Sequence, residues 1–197
     1  MTLDYHQINR SLGNMDLYLM DQLLKGRFEK EHRILDVGCG EGRNLYYFIQ
    51  QGYEIYGIDQ DRQAIKFLKM LSKTLNSDLD ADCFIHGDAS DMPYPPRAFD
   101  VVICNAVLHF AKDLENFMQM ISELERVVKL EGSVFIRMAF DLDGMPELNE
   151  EFPFRLNRTL LEKVKKKFDF EEIEPFKTVL IPEMRSMATI ILKKMKP

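Results

Sequence analysis

The chain has 197 residues, 46% of them hydrophobic, a formal net charge of −6 and a pI of about 5.3. That length and apolar content suit one compact domain over residues 1–197 with a sizeable core. The acidic balance speaks against a protein built to grip phosphate backbones, which carries a basic excess, so nucleic acid is not an expected partner.

The lysines of "KVKKKF" (163–168) and the closing "KKMK" read as a solvated helix face and a tail. The three cysteines, Cys39, Cys83 and Cys104, are far apart and show no metal or CxxC spacing. They read as reduced intracellular thiols, with Cys83 and Cys104 as small core residues. "MTLDYHQINRSLG" has no signal-peptide core, and no apolar run is long enough for a bilayer. The expected location is therefore cytoplasmic, with no membrane partner.

In chain order, residues 14–25 place Leu17, Met20, Leu23 and Leu24 on one helical face, closed by Gly26. "HRILDV" is a short buried strand, and "GRNLYYFIQQG" a helix ending at Gly52. "YEIYGI" (53–58) is a second strand. Residues 61–75 set Ala64, Phe67, Leu68, Leu71 and Leu75 at helical spacing. "ADCFIHG" is a third strand, and the proline-rich "ASDMPYPPRA" a loop. "FDVVICN" (99–105) is a fourth strand. Residues 113–129 form an amphipathic helix through Leu114, Phe117, Met118, Ile121, Leu124 and Val128. "SVFIRMAF" (133–140) is a fifth strand. After an irregular excursion, Thr159 and Glu162 read as a capping box for a last helix. Two strands near 172–180 and 187–193 end the chain, joined by a return short enough to make one of them antiparallel.

Alternating strands and helices predict an α/β fold, a mostly parallel sheet of seven strands covered on both faces, with one antiparallel strand at the C-terminal end. In such sheets the ligand lies outside the carboxyl ends of the strands. Strand one ends in Asp36 and the turn Gly38-Cys39-Gly40-Glu41-Gly42. Strand two ends in Asp59, placed to accept from ribose hydroxyls. Strand three ends in "HGDAS", where Asp88 and the Ala89 backbone can read an adenine edge; strand four ends in Asn105. A dinucleotide fingerprint needs its third glycine five positions after the first. Here the glycines are 38, 40 and 42. A pyrophosphate would also sit beside Asp36 and Glu41, at a cost on the order of 2–4 kcal/mol. A ligand with adenosine at one end and a cation at the other reverses that sign, as S-adenosylmethionine does.

"LDVGCGEGRN", "GIDQD", "GDASDMPYPPRAFDVVICNAVLHF" and "LERVVKLEGSVFI" resemble, in order and spacing, the motifs of class I S-adenosylmethionine-dependent methyltransferases. Within that superfamily the chain resembles small bacterial enzymes of the tellurite-resistance-like group. The resemblance implies a three-layer Rossmann-like sandwich over 33–197, with residues 1–30 a helical segment over the cofactor. It implies Asp36 for the methionine ammonium, and the backbone of Gly38, Cys39 and Gly40 for the methionine portion. It implies Asp59 for the ribose, Gln60 against the adenine, Asp88 and Ala89 for the adenine edge, and the Asn105 carbonyl for the ammonium. Arg43 and Asn44 stay open, and Glu41 reads as a helix-start cap. The implied cofactor is S-adenosyl-L-methionine, with S-adenosylhomocysteine as product, and no metal.

Methyl transfer from a sulfonium is in-line displacement, so positioning dominates and a base serves only an acceptor that loses a proton. His109 is the candidate base, with a histidine satisfied inside the following loop as the alternative. His6 and Tyr5 belong to an N-terminal segment for which two readings stand, a cover over the cofactor and a disordered tail. The acceptor side is expected at 141–156 and 181–187, with Arg155, Arg158 and Arg185 for an anionic group and Met184 and Met187 for an apolar one. The loop after strand four lacks the Asp/Asn-Pro-Pro-Tyr sequence of amino-methylating nucleic-acid enzymes, which favours a small-molecule acceptor. The expected protein is a monomer or homodimer. Two other readings stand beside the enzyme: a cofactor-binding regulatory scaffold and an NAD-dependent oxidoreductase.

Overall fold

Short, near-continuously apolar strands, broken by glycine turns and capped helix starts, produce one sheet with a helical layer on each face. The computed structural model describes residues 5–142, 152–181 and 185–195. The helices are α1 (Tyr5–Leu12), α2 (Leu17–Leu24), α3 (Tyr46–Gln50), α4 (Arg62–Leu75), α5 (Leu114–Val127) and α6 (Arg158–Lys167). The strands are β1 (Arg33–Val37), β2 (Glu54–Asp59), β3 (Phe84–His86), β4 (Phe99–Asn105), β5 (Val128–Ala139), β6 (Phe170–Glu172), β7 (Lys177–Ile181) and β8 (Arg185–Lys194). Their order is β3-β2-β1-β4-β5-β8-β6, with β7 also on β8. Strands β1 to β5 are parallel, and β8 runs antiparallel to β5.

Among the described residues the sheet therefore has eight strands where seven are predicted. The extra one arises because the edge is interrupted: β6 and β7 both pair with β8, on either side of 173–176. Pro175 lies in that gap and has no N–H to continue a ladder.

Period-two alternation divides the core. Leu35, Val37, Val102, Cys104, Ile136 and Met138 face α5 and α6. Ile34, Val101, Ile103 and Phe135 face the other way, with Leu19 of α2, Phe48 of α3 and Leu68 of α4. Asp36, Asn105 and Arg137 fall on this second face by the same alternation. The glycine-loop residues Gly38, Gly40 and Gly42 have φ of 71°, 51° and 85°, a conformation that costs an L-residue steric strain.

Several local readings shift. The buried residues of α2 are Leu19 and Gln22, while Leu17 and Leu24 are exposed. Met20 and Leu23 pack against the core as expected, and Asp16 starts the helix, accepting from the N–H groups of Tyr18 and Leu19. In α5 the apolar face runs through Phe117, Met120, Ile121, Leu124 and Val127, leaving Leu114 exposed. The helix after the glycine loop shrinks to the five residues of α3. Ala81–Cys83 is a 3-10 turn rather than strand, so Cys83 is only half-buried, while Cys39 and Cys104 are buried. Strand β5 starts five residues early, at Val128. Asn157 caps α6 through the Leu160 N–H at 2.8 Å, and Glu162 pairs with Lys165 instead of closing a box with Thr159. Among the described residues no helix is long and apolar enough to cross a membrane.

Candidate active site

The carboxyl ends of β1 to β4 enclose a cleft of about 370 Å³. It brings together five of the predicted residues: Gly38, Asp59, Gln60, Asp88 and Ala89. Val107, Phe110, Lys112, Asn116 and Met120 complete it from the segment after β4 and from α5. Ala106, in the same wall, holds a left-handed φ of 62° and donates its N–H to the Arg137 carbonyl at 2.8 Å. Such a conformation costs an alanine about 1–2 kcal/mol, which the neighbouring strand contacts offset.

The glycine loop is bonded inward. The N–H groups of Gly38 and Cys39 both donate to the Ile58 carbonyl, at 2.8 and 3.2 Å. Gly40 N–H donates to Asp59 Oδ2 at 2.7 Å, and Gly42 N–H to the Cys39 carbonyl at 2.9 Å. These four donors are therefore already engaged and form no phosphate nest. A Cβ on Gly38 would stand 2.1 Å from Val107 Cγ2, whereas a Cβ on Gly40 would meet nothing within 4 Å. Gly38 thus sets the loop against the β4 segment, and Gly40 borders open space.

Asp59 also accepts from the Asp61 N–H at 2.8 Å, so its two oxygens tie the glycine loop to the start of α4. Asp88 accepts from the Ser90 N–H and hydroxyl at 2.8 and 2.7 Å; these bonds lower its pKa. Gln60 is exposed at the rim.

Asp36, Cys39, Gly40 and Asn105 do not line this cleft. Asp36 is 1% exposed, and neither carboxylate oxygen has a hydrogen-bond partner. Burial, then the charge of Asp59, pushes its pKa up to about 8, against a smaller opposing pull from Arg43. Asn105 is 6% exposed, and both side-chain polar atoms also lack partners. Two buried polar groups left open on one sheet face are the mark of a binding site rather than a core. Burial raises the Cys39 thiol far above its usual range, which rules it out as a nucleophile in this arrangement.

His109 is 1% exposed, its ring 4.1 Å from Phe152 and 4.5 Å from Phe110. The Ala139 N–H donates to His109 Nδ1 at 3.3 Å. A neutral ring accepting at Nδ1 carries its proton on Nε2. Beside it Ala139, Phe152 and Met187 form a small apolar cluster apart from the two cores. Of the arginines predicted for an anionic acceptor, Arg158 is exposed on α6 with its guanidinium 5.0 Å over the Phe176 ring. Arg155 is half-buried. Met184 and the side chains of Tyr5 and Arg185 lie outside the described residues; His6 is exposed on α1.

Two polar residues near the site, Arg137 and Asp16, are not singled out by the sequence, and Asn44, whose role the sequence leaves open, is tied to them. Arg137 of β5 pairs through Nη1 with Oδ2 of Asp16, and the Asp16 N–H donates to Asn44 Oδ1 at 3.1 Å. The signal for Arg137 is the lone charge inside the apolar run "SVFIRMAF". Asp16 and Asn44 carry no comparable signal, because their burial depends on α2 folding back onto the sheet.

An open α/β sheet in this strand order, with acids at successive strand ends around a cleft, defines a Rossmann-like fold of the methyltransferase kind. Residues 35–136 match the sequence pattern of the family described as "Methyltransferase domain". The chain belongs to that family, in its class I, S-adenosylmethionine-dependent form. It is 28% identical over 143 residues to the uncharacterized methyltransferase YcgJ of Bacillus subtilis, covering 73% of this chain and 53% of the relative. Among solved structures, a SAM-dependent methyltransferase from Methanosarcina mazei superposes with a TM-score of 0.71 at 18% identity, covering 89% of this chain and 98% of that one. TehB from Haemophilus influenzae superposes with a TM-score of 0.69 at 21% identity, covering 89% and 62%. At those identities the structural likeness shows the fold. The chain spans about half the length of the first curated relatives it matches.

Proposed function

We propose that the protein transfers a methyl group from S-adenosylmethionine to a small-molecule acceptor. The observation that carries this reading is the inward-bonded glycine loop in front of an unpartnered, buried Asp36. That combination leaves a pyrophosphate without the N–H groups of Gly38, Cys39, Gly40 and Gly42, and offers a cationic amino-acid end a buried acid that ionises as the cation binds. The cofactor fits: Asp59 and Asp88 lie in one cleft with Gln60 and Ala89, where a ribose and an adenine edge have acceptors and a backbone donor. When bound, S-adenosylmethionine supplies a methyl group on an activated sulfonium, open to in-line displacement by the acceptor.

The chain's own part is to bind, orient and exclude water. Asp59 and the glycine loop orient the adenosine, Asp36 and Asn105 hold the amino-acid end, and the ring cluster at Phe110 and Phe152 shields the acceptor side. His109, with its Nδ1 lone pair engaged by the Ala139 N–H, carries its proton on Nε2. We therefore assign it a positioning role and place no general base there. The acidic charge and the apolar cluster of Ala139, Phe152 and Met187 support a small-molecule acceptor.

The test is methyl transfer with labelled donor across thiols, small metalloid anions, amines, carboxylates and phenols. Turnover on one class supports the reading. Tight S-adenosylhomocysteine binding without turnover on any class would favour the regulatory scaffold instead.

A further inference from the structure

The face of the sheet that carries Asp36 holds a second, oppositely charged group, Arg137, whose hydrogen bonding is incomplete. Arg137 stands on β5 directly opposite Asn105 of β4, and β4 separates it from β1. Asp36 lies opposite Ile103, two residues before Asn105. The strand spacings put Asp36 and Arg137 about 9.6 Å apart across the sheet and about 6.6 Å apart along it. Among the described residues, Asp16 is the guanidinium's hydrogen-bond partner, and it takes Nη1. Nε is buried and has no partner. The Tyr18 ring lies 4.9 Å from the guanidinium carbon.

The edge of a guanidinium that binds carboxylates in parallel is the fork of Nε and one Nη. Asp16 holds the other Nη, so it fixes the plane of the group and leaves that fork open. Asn44 of the glycine-loop segment holds the Asp16 N–H, and the Arg137 carbonyl holds the Ala106 N–H. This chain of contacts runs from the loop after β1, through the start of α2, to the end of β5. It links the surroundings of the three groups with unmet hydrogen bonds: an acid, an amide and a guanidinium. A carboxylate, an amide and an open cationic fork on adjacent strands complement the ammonium and carboxylate of an α-amino acid.

We infer that Arg137 is the anchor for the carboxylate of the donor's amino-acid end, with the Asn105 side chain between it and Asp36. This deepens the proposed function and rests on it. It makes Arg137 a specificity-determining residue, separating a nucleoside sulfonium that keeps its carboxylate from the decarboxylated form, which has the same adenosine and a terminal ammonium.

Calorimetry on the full chain with S-adenosylhomocysteine and with its decarboxylated analogue tests this without any substitution. The expected result is at least tenfold tighter binding of the carboxylated ligand. Equal affinities would overturn the assignment of Arg137 while leaving the donor class intact; binding of neither ligand would overturn the donor class itself. Arg137→Gln, judged first by its melting curve, is expected to close the gap by weakening only the carboxylated ligand. Arg137→Lys should narrow it, because a point charge lacks the fork. A gap that survives in folded Arg137→Gln contradicts the inference, since a purely structural arginine would weaken both ligands alike.

Discussion

The two ends of the proposed cofactor site, one for the adenosine and one for the amino-acid portion, are built in opposite ways. At the adenosine end, Asp59 and Asp88 already have partners: the loop N–H groups of Gly40, Asp61 and Ser90. At the amino-acid end, Asp36 and Asn105 are more deeply buried and have none. The first end is held in shape before a ligand arrives, with accepting capacity left over on each carboxylate. The second keeps polar groups desolvated and open, which costs stability until a ligand satisfies them. Substitutions should therefore separate the two ends: at the first, affinity and stability fall together, and at the second they move in opposite directions.

The largest effect is expected where the two ends meet. Gly38→Ala drives a methyl into Val107 and strains a positive φ. The combined overpacking and backbone cost is about 2–5 kcal/mol, visible as a lowered melting point and as loss of S-adenosylhomocysteine binding by calorimetry. Next come Asp59→Ala and Asp88→Ala, each expected to weaken that ligand by about 1–3 kcal/mol, roughly 5- to 150-fold. Asp59→Ala should also lower stability, because two backbone donors lose their acceptor. Full affinity in both variants would mean that the adenosine lies elsewhere.

The amino-acid end gives the contrasting result through pH. Asp36 has a folded pKa of about 8 against an ordinary value of 3.8. An acid raised in the folded state holds its proton there, so its contribution to stability is present below about pH 4 and is lost as pH rises to about 8. Binding an ammonium requires the ionised form, so affinity should rise up to about tenfold per pH unit between pH 6 and 7.5. Asp36→Asn is expected to melt higher than wild type at pH 8, to bind S-adenosylhomocysteine at least tenfold more weakly, and to lose that pH dependence. A variant that melts lower at pH 8 would break the contrast. The smallest effect belongs to His109→Gln: about 1 kcal/mol of stability for the altered buried contact with Ala139, and unchanged S-adenosylhomocysteine affinity.

Much of this was legible in the chain itself, for identifiable reasons. Asp36, Asp59, Asp88 and Asn105 could be placed because each ends an apolar strand, and a parallel sheet gathers strand ends at one edge. That Asp36 and Asn105 share a face needed the register of β1 against β4, which the sequence does not show. Arg137 was not legible as part of the site, because its role depends on an ion pair with a residue 121 positions away. The face of α2 was read half correctly: Met20 and Leu23 pack inward, but the buried stripe is centred on Leu19 and leaves Leu17 and Leu24 exposed, a choice that depends on how the helix docks on the sheet. His109 was read from its distance past β4, but the distance does not reveal that Ala139 takes Nδ1. The interrupted edge strand was hidden by treating Pro175 as part of one continuous strand.

The most direct test of the central claim is calorimetric titration of the wild-type protein at pH 7 with S-adenosylhomocysteine and, separately, with NAD. The expected result is micromolar binding of the first, with release of up to one proton as Asp36 ionises, and no comparable binding of the second. Tight binding of NAD with none of S-adenosylhomocysteine would contradict the account.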